Sequence, residues 1–224
     1  MTLALIAANV LVYFLWQRGG FALSNPTGDH FLRQLTDYGL EPCHITGKVC
    51  DPQVPDQANV WLTPFTAMFM HGGLLHLGGN MLFLWIFGNN VEDAMGRVRF
   101  IAFYVLGGLV ATGLQIATDL NSGVPNLGAS GAIAAVLGGY ILLYPRARVL
   151  TFVFVIFFFT VIELPAMIVL GLWIALQFFD ATNGSAGSAG VAVFAHIGGF
   201  LFGLATVKLF AMRIRDTPPR LPAL

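Results

Sequence analysis

"VLTFVFVIFFFTVIELPAMIVLGLWIALQFF", residues 149–179, decides how many times this chain can cross a membrane. The run is 31 residues long. A helix crosses about 30 Å of hydrocarbon with about 20 residues, so the run is too long for one ordinary span and too short for two. Glu163-Leu164-Pro165 interrupts it, and Pro is well placed in the first turn of a helix. Residues 162–179 are therefore expected to span, and 149–161 to form an interfacial or protein-covered connection leading into them. By the same length criterion, apolar runs at 2–16, 64–88, 99–118, 126–144 and 190–212 supply the remaining spans. The expected fold is all-α, a polytopic six-helix bundle with residues 1–224 as one domain.

Composition agrees with that expectation. Of the 224 residues 57 % are hydrophobic and only 10 % charged, and the mean hydropathy is +0.77. A water-soluble domain of this size does not carry such a balance. Formal net charge is zero, which argues against a nucleic-acid partner and leaves the position of each basic residue as the useful signal. The first apolar run has no basic residues before it and no small-residue cleavage site before Gln17 and Arg18, so it reads as a retained span and not as a cleaved signal peptide.

Arg97, Arg99, Arg146, Arg148, Lys208, Arg213, Arg215 and Arg220 all fall on one side of the six-span scheme. The opposite side holds only Arg18, Arg33 and Lys48, all within 17–60. Both termini are then expected in the cytoplasm, with 213–224 as a cytoplasmic tail and 17–60 as an extracytoplasmic loop. That loop carries Asp29, Asp37, Glu41, Asp51 and Asp56, and the only two cysteines, Cys43 and Cys50. On an oxidising side the pair reads first as a disulfide closing a small loop; with His44 a metal site is the alternative, although the ligand set falls short of four. "ATNGSAGSAG", 181–190, reads as a flexible external loop.

Polar side chains inside the spans are the informative ones, because each is costly in hydrocarbon without a partner. Helix two offers His71, His76 and Asn80, helix four Ser130, and helix six His196. Glu92, Asp93 and Glu163 lie near span ends. Ser130 is four residues beyond Asn126 and His196 six beyond Gly190, which places both roughly 6–9 Å below the outer ends of their helices. His76 and Asn80, spaced i, i+4, share one face at a comparable level.

Gly131, Ala135 and Gly139 on helix four, and Ala192, His196, Gly199 and Gly203 on helix six, are stripes of small residues that let helices approach backbone to backbone. Facing one another, they would bring Ser130 within reach of His196, the minimum for an activated nucleophile. A serine bonded back to a carbonyl, or a packed histidine, explains either residue alone. Four such groups at one depth, with glycines beside three, favour a site. His71 lies off the shared face and is read as a cap or tether for the first loop.

"HGGLLHLGGN" (71–80), "GASG" (128–131) and "AHIGGFLFG" (195–203) together resemble the rhomboid intramembrane serine proteases, in that family's order and over roughly residues 2–212. The resemblance implies Ser130 as nucleophile, His196 as its base, and His76 and Asn80 as donors to the oxyanion, joined by the Ser130 backbone N–H. It also implies transmembrane protein substrates within the lipid bilayer, with small residues at the cleaved position. No metal or organic cofactor is expected, and a bacterial plasma membrane is the expected host. Without an intramembrane Asp or Glu to orient His196, the sequence offers a dyad. Gly128 and Gly131 are expected to leave room for a substrate backbone at Ser130.

Several positions depart from the family pattern. Trp61 is followed by Leu62 and Thr63 where many members have Trp-Arg, and Ala134 stands where an aromatic ring often packs on the histidine. The 41–58 insert has no counterpart, and Glu92 and Arg97 resemble a structural pair without chemistry. Two rivals differ in class. An inactive client-binding relative would be expected to lack the Ser or the His. A proton channel using His71, His76 and His196 would need polar residues running on to the cytoplasmic side, and those helices are apolar there.

Overall fold

The computed structural model describes residues 1–24, 26–50, 56–57, 59–155, 158–183 and 192–212. Asp51, most of 181–190 and the 213–224 tail with Arg213, Arg215 and Arg220 lie outside the described residues. The first apolar run is helical from α1 (Thr2–Leu11) through a π-helical turn at Val12–Trp16. Two short helices follow, α2 (Asp29–Tyr38) and α3 (Pro42–Thr46), then α4 (Thr63–Thr66) among 3₁₀ turns. The long elements are α5 (Leu74–Met95), α6 (Arg97–Thr118), α7 (Ser130–Leu143), α8 (Ala166–Thr182) and α9 (Val193–Phe210).

The 149–179 run resolves into a strand pair and a helix. β1 (Arg148–Val155) and β2 (Phe158–Pro165) pair antiparallel, Arg148 opposite Pro165, and α8 starts directly after Pro165. The described chain is predominantly helical, in keeping with the all-α expectation, and the hairpin is a local addition where a connection without regular structure was expected. Val, Phe, Thr and Ile dominate both strands, and such residues favour strands over helices. Phe152 and Phe159 stack on one another and stay largely exposed, so the segment is not protein-covered. A hairpin with open edges leaves backbone groups that hydrocarbon cannot satisfy, which suits the interfacial half of the expectation.

Two helices, α6 and α9, are both long and apolar enough to cross a membrane by length and composition. α7 has only 14 residues, about 21 Å at 1.5 Å per residue. Its shortness follows from its position. Every residue from Gly131 to Tyr140 is buried, so α7 is enclosed by protein and has no lipid thickness to match.

The small-residue stripes of α7 and α9 do face one another. A Cβ on Gly199 would collide with the carbonyl of Gly131, and one on Gly203 with the carbonyl of Ala135. Gly138, outside the stripe drawn from sequence, meets the carbonyl of Phe200 in the same way.

The first loop is tied down beside α7. Leu40 and Asn126 exchange backbone hydrogen bonds of 3.0 and 2.8 Å, and the Cys43 N–H donates to Ser122 O at 3.0 Å. Cys43 and Cys50 form a disulfide, so their sulfurs are not thiolate ligands and His44 instead pairs with Glu41 at 2.9 Å. Burial holds the Glu41 carboxyl above its usual range, with His44 opposing the shift. Chain entropy for so short a closed loop gives a stabilisation of about 2–3 kcal/mol. Replacing both cysteines by Ser should therefore lower the thermal midpoint under non-reducing conditions and abolish its sensitivity to reductant. An unchanged midpoint would mean that the loop is held by its contacts to 120–126 alone.

Candidate active site

Three helix starts converge. Ser130 is the first residue of α7, His196 the fourth of α9 and His76 the third of α5, with Asn80 one turn further on. Ser130 is thus shallower in its helix than the sequence suggests, because 126–129 is not helical. Gly128 accounts for part of the difference. Its φ of +126° is a conformation that side chains rarely adopt, and its N–H donates to Ala67 O at 2.9 Å. A Cβ at 128 would lie 2.8 Å from His76 Nε2, so glycine here also lets the loop approach that imidazole.

Ser130 and His196 are brought together, with Ser130 Oγ 2.8 Å from His196 Nε2. Both line a cavity of about 760 Å³ that His76, Asn80, Gly79 and Trp173 also border, with Phe31 and Leu35 of the first loop across from them. His76 Nδ1 accepts the Gly72 N–H at 3.3 Å, which leaves its Nε2 as the donor nitrogen. Asn80 spends one amide hydrogen on His76 O at 2.9 Å and keeps a second. The Ser130 N–H opens a helix, where the first N–H groups have no intrahelical acceptor. The site therefore holds a hydroxyl, an imidazole acceptor and three hydrogen-bond donors.

Gly131 has another role than the one expected. A Cβ there would lie 2.7 Å from Ala111 Cβ, so its smallness serves the packing of α6 against α7. Gly128 and Gly131 border a separate cavity of about 30 Å³ behind Ser130 and are not among the residues lining the large one. His71 precedes α5 instead of belonging to it. It tethers the first loop through its backbone: its N–H donates to Gln17 Oε1 at 2.9 Å, and its carbonyl accepts from Gln17 Nε2 at 3.2 Å. Its buried ring packs edge-on against His76.

Three further side chains complete the surroundings. Gln177 Oε1 lies 2.6 Å from His196 Nδ1. Trp173, one turn earlier on α8, packs its ring 5.6 Å from the imidazole, so His196 has an aromatic neighbour although residue 134 is alanine. Gln115 Oε1 accepts the Ala195 N–H at 3.1 Å, capping a free donor in the first turn of α9. Gln115 and Gln177 are amides inside apolar runs, so the signal that singles out Asn80 applies equally to them. Trp61 is exposed, and Glu92 accepts from Thr2 N and Oγ1 at 2.7 and 2.8 Å, away from the serine.

The model of the Rhomboid domain matches residues 58–213. The human presenilin-associated rhomboid-like protein, mitochondrial, is 28 % identical over 89 % of this chain and 45 % of its own length. Rhomboid protein 1, mitochondrial, of Saccharomyces cerevisiae is 30 % identical over 90 % of the chain and 50 % of its own. The rhomboid protease GluP of Bacillus subtilis is 29 % identical over 61 % of the chain and 23 % of its own. The chain thus spans about half the length of the mitochondrial relatives it matches. Mitochondrial proteins match the greater share of the chain, so the expected assignment to a bacterial plasma membrane is not supported.

Proposed function

The chain belongs to the rhomboid family, an integral membrane family, and from that premise we propose that it is an intramembrane serine endopeptidase acting on transmembrane proteins, with Ser130 and His196 as its dyad. The observation that carries this reading is the 2.8 Å approach of Ser130 Oγ to His196 Nε2 in a cavity shared with His76 and Asn80. The six-span arrangement, with the site towards the outer ends of α5, α7 and α9, is part of the same proposal.

The geometry supports an acyl-enzyme route. Ser130 Oγ attacks the scissile carbonyl carbon while its proton passes to His196 Nε2. The carbonyl oxygen becomes an oxyanion facing the Ser130 backbone N–H, the free Asn80 amide hydrogen and His76 Nε2–H. One such donor typically contributes about 10²–10³ in rate. The N-terminal end of α7 adds a partial positive charge at the same place. Collapse of the intermediate breaks the C–N bond, and His196 returns its proton to the leaving amine. Water then adds to the ester with His196 again as base, releasing the acid and restoring Ser130. These residues complete the cycle without a metal or cofactor.

Labelling of the detergent-solubilised full chain with a fluorophosphonate probe tests the proposal. Wild type should label at Ser130, and Ser130→Ala and His196→Ala should not. A folded wild type that stays inert while a control serine hydrolase reacts would overturn the protease reading in favour of a client-binding protein without catalysis.

A further inference from the structure

His196 has two ring nitrogens, and the dyad accounts for one of them. Nε2 faces Ser130 Oγ at 2.8 Å, and Nδ1 faces Gln177 Oε1 at 2.6 Å. We propose that Gln177 is a positioning residue whose side-chain carbonyl holds His196 as the Nδ1–H tautomer, with the Nε2 lone pair directed at Ser130. Its effect on rate rests on the protease reading above; its effect on the imidazole does not.

The chemistry of the amide selects the tautomer. A carbonyl oxygen only accepts, so Nδ1 at 2.6 Å must carry the ring proton and donate it. In the other tautomer two lone pairs would confront one another at that distance. Nε2–H would then donate to Ser130, and the serine would have no base. The ring is also held by packing. Trp173 precedes Gln177 by four residues and so lies on the same face of α8; its ring sits 5.6 Å from the imidazole and 6.2 Å from Phe200. One helix face therefore supplies both the hydrogen bond and a tilted aromatic contact that restrain the ring.

An acidic third residue would do the same orienting work and also stabilise the imidazolium. It would bring a charge that a poorly solvated site must compensate. A glutamine orients without that charge, and its contribution is correspondingly smaller. The sequence-based expectation of a bare dyad thus becomes a dyad with an uncharged third member.

Gln177→Met and Gln177→Glu separate this role from plain packing. Methionine keeps the length and apolar contacts and removes the acceptor; glutamate keeps the acceptor. With the full chain in liposomes and a transmembrane reporter substrate, Gln177→Met should lower kcat about tenfold, the scale of one neutral hydrogen bond, with KM unchanged. Gln177→Glu should stay within about threefold of wild type. Wild-type kcat in Gln177→Met, equal loss in both variants, or a change confined to KM would each overturn the proposal. ¹⁵N NMR of His196 gives a readout that needs no activity: Nδ1–H in wild type and a tautomer mixture in Gln177→Met. Identical spectra would also overturn it. A tautomer change in a chain that never reacts with the fluorophosphonate would uphold the positioning role and sink the protease reading instead.

Discussion

Ser130→Ala and His196→Ala should each lower peptide-bond cleavage by about 10⁵–10⁶-fold, and the double replacement should be no worse than either alone. The expectation follows from the single hydrogen bond that joins them. A hydroxyl is a poor nucleophile until a base takes its proton, and an imidazole has nothing to activate once the hydroxyl is gone. Residues that act as one unit lose their joint contribution at the first deletion. What survives should come from Asn80, His76 and the Ser130 N–H, which still stabilise an oxyanion formed by attack of water. The measurement is kcat/KM for all three variants on a transmembrane reporter in liposomes, with folded protein verified for each. Multiplicative losses in the double variant would show that the two residues act independently, and His196 would then not be the base.

Much of this site is legible in the sequence because hydrocarbon penalises unpaired polar groups so heavily. Ser130, His196, His76 and Asn80 stand out as polar residues in apolar runs, and the structure gathers all four around one cavity. The facing of α7 and α9 was equally readable, since Gly199 and Gly203 have no explanation on a lipid-exposed face. What escaped depends on pairings that periodicity does not encode. Apart from Arg148, Thr151, Thr160 and Glu163 the strands of the hairpin are a continuous apolar run without period-2 alternation, so periodicity does not separate them from a buried helix and only β-branched and aromatic enrichment hints at strands. The start of α7 at Ser130 is set by the positive φ of Gly128, which spacing alone does not reveal. The aromatic neighbour of His196 is Trp173 on α8, a contact between two helices that the spacing of the motifs does not encode. The smallness of Gly131 has a packing cause, Ala111, that resembles a substrate cause until the neighbouring helix is seen.

Gly203→Val should remove the folded state altogether under conditions where wild type is monodisperse in detergent. A Cβ at 203 collides with the Ala135 carbonyl and lies 2.9 Å from Gly139 N. Neither is a side-chain end that can swing away. Backbone must move, and α7, buried over most of its length, has no free side to move towards. Such overpacking costs several kcal/mol, at the large end of single substitutions. Gly113→Ala is the control: no atom lies within 4 Å of a Cβ there, and alanine should gain up to about 1 kcal/mol of helix propensity. Thermal unfolding followed by size-exclusion chromatography distinguishes the two, and a wild-type midpoint for Gly203→Val would refute the close approach of α7 and α9. Gly203→Ala is the more informative partial lesion. If α9 yields by even about 1 Å to admit the methyl group, Ser130 and His196, carried on the two helices that part, move out of hydrogen-bond register, and a displacement of that size costs about 10² in rate. Folded but weakly active protein in that variant would tie the stripe of small residues directly to the chemistry, since no group that touches substrate would have changed.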